Sequence, residues 1–97
     1  MANKYTYSKL VEQDLIDIYL YTAQTWGQTQ ADAYDAGLEQ TIKMLASSPK
    51  IGRVCNEIKT GYRRFEHKNH IIFYCQRQTD ILIVRILHES MDIPNHM

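Results

Sequence analysis

The sequence predicts an α+β fold, an N-terminal short strand followed by a two-helix hairpin packed on a small antiparallel sheet, in the order β-α-α-β-β-β. Three observations carry that reading. Apolar residues recur with a helical period from Val11 to Leu45, Gly27 divides that stretch, and after Pro49 the period falls to two. The chain has 97 residues, 44% hydrophobic and 23% charged, which is the size of one domain, 1–97, with ordinary globular composition. A two-domain enzyme and a disordered chain are both excluded.

Tyr5-Thr6-Tyr7 is β-prone, and Ser8 is placed to cap the helix after it. Glu12 lies one residue too far along for a capping box. Val11, Leu15, Ile18, Thr22 and Trp26 fall on one helical stripe, with Glu12, Gln13, Asp14 and Asp17 on the other side. Ile16, Leu20 and Ala23 widen the apolar surface, which serves either a broad core face or a second chain. Gly27 ends this helix, and Thr29-Gln30-Ala31-Asp32 reads as the capped start of the next, so the two form an antiparallel hairpin. Ala31, Tyr34, Leu38, Ile42 and Leu45 make the clearest stripe in the chain. Pro49 stops the helix by driving Ser48 out of the α region.

From Tyr62 to His67 the pattern alternates, with Tyr62, Arg64 and Glu66 on one face and Arg63, Phe65 and His67 on the other. Lys68-Asn69 forms a turn, Ile71–Cys75 returns, and Gln78-Thr79-Asp80 turns again. Ile81–His88 is apolar on both faces until its end, as a strand with neighbours on each side requires. From about Glu89 the tail shows no period and is expected to be mobile until something binds it.

The formal net charge is zero but polarised. Residues 1–48 hold three lysines against six carboxylates, and residues 49–97 hold eight cations against five. A neutral chain lacks the basic surface of a general nucleic-acid binder, so no direct specific nucleic-acid binding is expected. Cys55 and Cys75 form no CxxC pair, so no metal site and no cofactor is expected, and in the cytoplasm both would be thiols. No apolar run approaches the roughly 20 residues that span a bilayer, and the start lacks an apolar leader segment, so a cytoplasmic protein is expected. Motifs of the GxSxG, HExxH and Walker types are absent.

What remains is a basic group, Arg63, Arg64, Arg85 and His88, suited to a phosphate or an acidic partner. Its bland alternative is ion pairing with Glu66, Glu89 and Asp92. Alternation sets Arg63 against Arg64 and Arg85 against His88, so only a subset can act together. Histidine titrates near neutrality, which makes His88 the candidate for acid–base work. His67 and His70 read as solvated residues flanking a turn, and His96 as a tail residue.

Three stretches, Gly61-Tyr62-Arg63-Arg64, His70-Ile71-Ile72-Phe73-Tyr74 and the run Ile83–Asp92, resemble the ParE toxins of the RelE/ParE superfamily. The ending Arg85-Ile86-Leu87-His88 followed by Met91-Asp92 is the specific part, and the order of elements extends the likeness over nearly the whole chain. The resemblance implies the toxin of a type II toxin–antitoxin pair that poisons DNA gyrase and blocks replication without being an enzyme. It implies a ParD-like antitoxin folded around the toxin, with Ile16, Leu20 and Ala23 as its seat. Arg64, Arg85, His88, Met91 and Asp92 are then the expected gyrase contacts. The other branch of the superfamily, RelE-like ribosome-dependent mRNA endoribonucleases, offers the alternative. There Arg64 and Arg85 would hold the scissile phosphate and His88 would act as general acid or base. Glu89, where some members of that branch carry Tyr, would repel phosphate.

Overall fold

The computed structural model describes residues 4–97; Met1–Asn3, the first residues of the start read as leaderless, lie outside the described residues. The elements are β1 (Tyr5–Tyr7), α1 (Lys9–Trp26), α2 (Gln28–Ser47), β2 (Arg53–Val54), β3 (Tyr62–His67), β4 (His70–Gln76), β5 (Ile81–His88) and α3 (Ile93–His96). Ser8 caps α1, its Oγ accepting from the Val11 N–H at 3.2 Å, and the same hydroxyl donates to Val84 O at 2.8 Å. One residue therefore ties the helix start to the sheet. Gly27, at φ +95°, closes α1 and opens α2, and α2 has no side-chain cap. The capped start expected at Thr29–Asp32 is thus replaced by a one-residue reversal that only glycine adopts without strain.

The sheet order is β1-β5-β4-β3-β2. β2 to β5 are antiparallel neighbours, but β1 pairs with β5 in parallel, Tyr5 opposite Ile81, so the sheet is mixed rather than antiparallel throughout. The reason is directional. Two antiparallel helices cancel, so the chain re-enters the sheet at the end where β1 left it. β2 then opposes β1, and three further reversals bring β5 parallel to it. β2, two residues long, had no signal in the periodicity.

Both faces of the sheet are covered. Val11, Leu38, Ile42 and Leu45 from the helices meet Ile72, Tyr74, Ile83 and Ile86 on one side. On the other, Phe73, Leu87, Ile71 and Cys55 are packed by Ile58 and by Ile93 of α3, so the tail carries a helical turn that no period announced. Two assignments on α1 change. Trp26, expected in the core stripe, is 71% exposed, and Asp14, expected in solvent, is 8% exposed. The packed face runs through Val11 and Asp14, rotated from the apolar stripe, and Trp26 stands at the end of the helix.

Replacing Leu38, 1% exposed at the centre of the helix–sheet core, with Ala is expected to cost about 2–5 kcal/mol in urea unfolding.

Candidate functional site

The end of β5 holds most of the residues singled out from the sequence, and its shape begins with a bulge. Phe73 opposes Arg85 while the next residue, Tyr74, opposes Ile83, so Val84 is the extra residue. Past this point β1 has ended, and the Ile86 N–H has no strand to pair with. Asp14 supplies the acceptor. Its Oδ2 takes the Ile86 N–H at 3.0 Å and Arg85 Nε at 2.9 Å, and its Oδ1 takes Arg85 Nη2 at 2.8 Å. The pair is largely shielded, and the Asp14 hydrogen bonds push the Arg85 pKa up. Arg85 Nη1 also donates to His96 O, which fastens α3. Arg85 is therefore a structural tie rather than a free cation of a basic patch. Sequence reading missed Asp14; the signal available was its i+3 spacing from Val11 on the packed face.

Arg64 and Arg85 both lie directly opposite Phe73 on its two flanking strands, and Arg64 lies over the Phe73 ring at 5.5 Å. By register both positions share the Phe73 side of the sheet, but the Arg85 side chain reaches round the uncovered edge of β5 to Asp14 of α1. His88 is on the helix side, paired with His70, their ring centroids 5.3 Å apart. The sheet separates His88 from Arg64, and the Arg85 guanidinium is taken up by Asp14, so the three are not arranged as one acid–base and phosphate site. His88 Nδ1 instead meets Ser90 Oγ at 2.7 Å and accepts the Ser90 N–H at 3.1 Å. Met91 is exposed and lines a cleft of about 410 Å³ with His88, His70 and Tyr21. Asp92 precedes α3 and accepts from Asn95 Nδ2 at 2.6 Å.

His67 and His70 are not solvated turn residues. Tyr34 OH lies 2.6 Å from His70 Nδ1, and Thr41 Oγ1 lies 2.9 Å from His67 Nδ1, so both rings dock on α2. Burial, then the nearby His88 and His67, lower the His70 pKa to about 4; burial and Lys68 lower that of His67. The alternation that put Phe65 inward also put His67 inward, and that was the signal to follow. Among the described residues no cluster of His, Cys, Asp and Glu is arranged to hold a metal ion.

On α1, Ile16 and Leu20 are each 53% exposed, while Ala23 is half-buried. With Leu15, Tyr19 and Asp35 of α2 the first two border a hollow of about 250 Å³. No helix among the described residues is long and apolar enough to cross a membrane.

Removing Asp14 leaves the Ile86 N–H without an acceptor and the largely shielded Arg85 guanidinium with only the His96 carbonyl. Asp14→Ala is expected to cost about 3–5 kcal/mol in chemical denaturation, and Asp14→Asn less, because the amide oxygen still accepts from Ile86. His70 gives a pH dependence of definite sign. Its folded pKa, about 4, lies below the ordinary 6.5, so unfolding takes up a proton in that window. The contribution of His70 is fully present above pH 6.5 and declines as pH falls toward 4; denaturation midpoints of the His70→Gln variant should vary less across that interval than those of the parent.

Residues 5–93 match the family described as ParE toxin of type II toxin-antitoxin system, parDE. Toxin ParE1 of Mycobacterium tuberculosis is 35% identical over 98 residues, covering 100% of both chains. Toxin ParE1 of Caulobacter vibrioides is 37% identical over 93 residues, 96% of each. In fold, the chain is similar to a solved chain of the chromosomal ParDE TA system from P. aeruginosa, with a TM-score of 0.75 at 18% identity over 88% of this chain and 94% of that one. By family match and by these relatives, the chain belongs to the ParE toxins of type II toxin–antitoxin systems.

Proposed function

We propose that this ParE toxin poisons DNA gyrase by binding, without making or breaking a covalent bond itself, and is neutralised in the cytoplasm by a ParD-like antitoxin seated on α1. One observation carries the first half. The residues a RelE-like ribonuclease would need together are split across the sheet, and Arg85 is already bound by Asp14. A site that cannot bring its base to a phosphate supports action through surfaces. The gyrase-facing surface in this reading is the end of β5 with the tail beyond it, through His88, Met91 and Asp92. Arg64 contributes from the opposite face, and Arg85 acts by holding the tail in place. The second half rests on Ile16 and Leu20, two large apolar side chains left open on one helix, with Ala23 beside them.

The test combines purified chain, gyrase, ATP and supercoiled plasmid, followed by detergent and protease. Linear DNA should accumulate, and His88→Ala should weaken that effect by far less than the roughly hundredfold or more that loss of a catalytic histidine would cost. Messenger RNA cut in a translating extract, with gyrase untouched, would overturn the proposal. In a separate binding measurement with the ParD-like antitoxin, Leu20→Lys should weaken binding while leaving the free chain folded; equal affinity would remove α1 as the seat.

A further inference from the structure

The outer edge of β3 carries a feature that neither the core nor the surfaces above account for. Cys55 N–H donates to Tyr62 O at 2.9 Å and sets the register in which Arg53 opposes Arg64. Continued by two residues, β2 would set Ile51 opposite Glu66. It does not continue. The Ile51 N–H turns to Ser48 O at 3.1 Å and the Gly52 N–H to the buried Tyr74 hydroxyl at 2.9 Å. Alternation along the ladder directs the Glu66 N–H and C=O toward this vacant side. A cavity of about 300 Å³ fills the gap, lined by Ile51, Arg53, Arg64, Phe65 and Glu66.

Arg53 and Arg64 are direct cross-strand neighbours of like charge, an arrangement that destabilises the sheet unless an anion answers it. Among the described residues neither is in an ion pair, and Arg64 Nε is buried without a hydrogen-bond partner. Arg63, on the other face, is occupied with the carbonyls of Gly52 and Lys50. A charged residue on a free edge commonly serves to block pairing, and Glu66 fits that role. That explanation leaves the orphaned Arg64 Nε unaccounted for. We propose that this cavity reads one carboxylate on an extended segment of the antitoxin, the segment lying along the open edge of β3 while its acidic side chain meets the Arg53 and Arg64 guanidiniums. The inference rests on the antitoxin reading above.

A carboxylate suits the site better than a nucleic-acid backbone. Two adjacent forks match a single oxyanion bidentately. A run of phosphates needs a row of free cations, and the next arginine along, Arg85, is already neutralised by Asp14. Main-chain hydrogen bonds to the edge would supply affinity and the arginines the choice of residue.

The experiment is amide hydrogen exchange on the full chain, alone and in complex with the antitoxin co-expressed from the same operon. Affinities are compared for wild type, Arg53→Gln and the Arg53→Gln/Arg64→Gln double variant. Exchange at the Glu66 N–H should slow by about tenfold or more in the complex, and the double variant should bind about tenfold or more weaker with a reduced salt dependence. Arg53 is exposed, so Arg53→Gln alone keeps the test open if losing the stacked Arg64 perturbs folding; it should weaken binding in the same direction. Unchanged exchange at Glu66 in a complex that forms, or unchanged affinity of the variants, overturns this proposal alone. Failure of the wild-type chain to form any complex overturns the antitoxin reading and this proposal with it.

Discussion

A single carboxylate holds the helical layer to the unfinished part of the sheet. β1 is too short to flank β5 to its end, and the bulge at Val84 leaves the following N–H at Ile86 facing α1 rather than a strand. Asp14 accepts that N–H and, with the same group, Arg85, whose guanidinium also reaches the end of α3. Helix, sheet and tail therefore share one charged junction. A buried acid so placed is stable only because every strong donor around it is directed at it.

The junction also shapes what the surface can do. With Arg85 bound by Asp14 on the edge of the sheet and His88 turned toward α1 and α2, the phosphate-handling arrangement that the residue types suggest is never assembled. What is left open is surface of differing character. There is an apolar strip on α1, a cleft lined by aromatic and histidine side chains at the end of β5, and an arginine-lined gap beside β3. Surfaces of this kind are what the proposed action by binding would use.

The histidines show how one residue type takes different parts within a few ångströms. His70 is kept neutral by burial and by the adjacent His88 and His67, with its ring fixed by Tyr34. His67 is fixed by Thr41. Both pin the β3–β4 hairpin to α2 through polar contacts where the apolar core has run out. His88, at the edge of the same group, keeps its ring in the cleft.

The sequence by itself determined the fold class, the order of its main elements and most of the core. Those follow from local period: Leu38, Ile42 and Leu45 read as buried because a helix repeats every 3.6 residues, and Ile81–His88 read as interior because both its faces are apolar. The family likeness was legible in short runs of residues for the same reason, being written along the chain. Only the tertiary structure decided that β1 lies parallel to β5, that Asp14 is buried, that Trp26 is not, and that Arg64 and His88 lie on opposite sides of the sheet from one another. Each of these depends on where one strand stops relative to a strand or helix dozens of residues away. A two-residue strand, a single bulged residue and the length of β1 leave almost no periodic trace, yet they set which backbone groups lack a partner. The side chain that satisfies such a group is chosen by proximity in three dimensions.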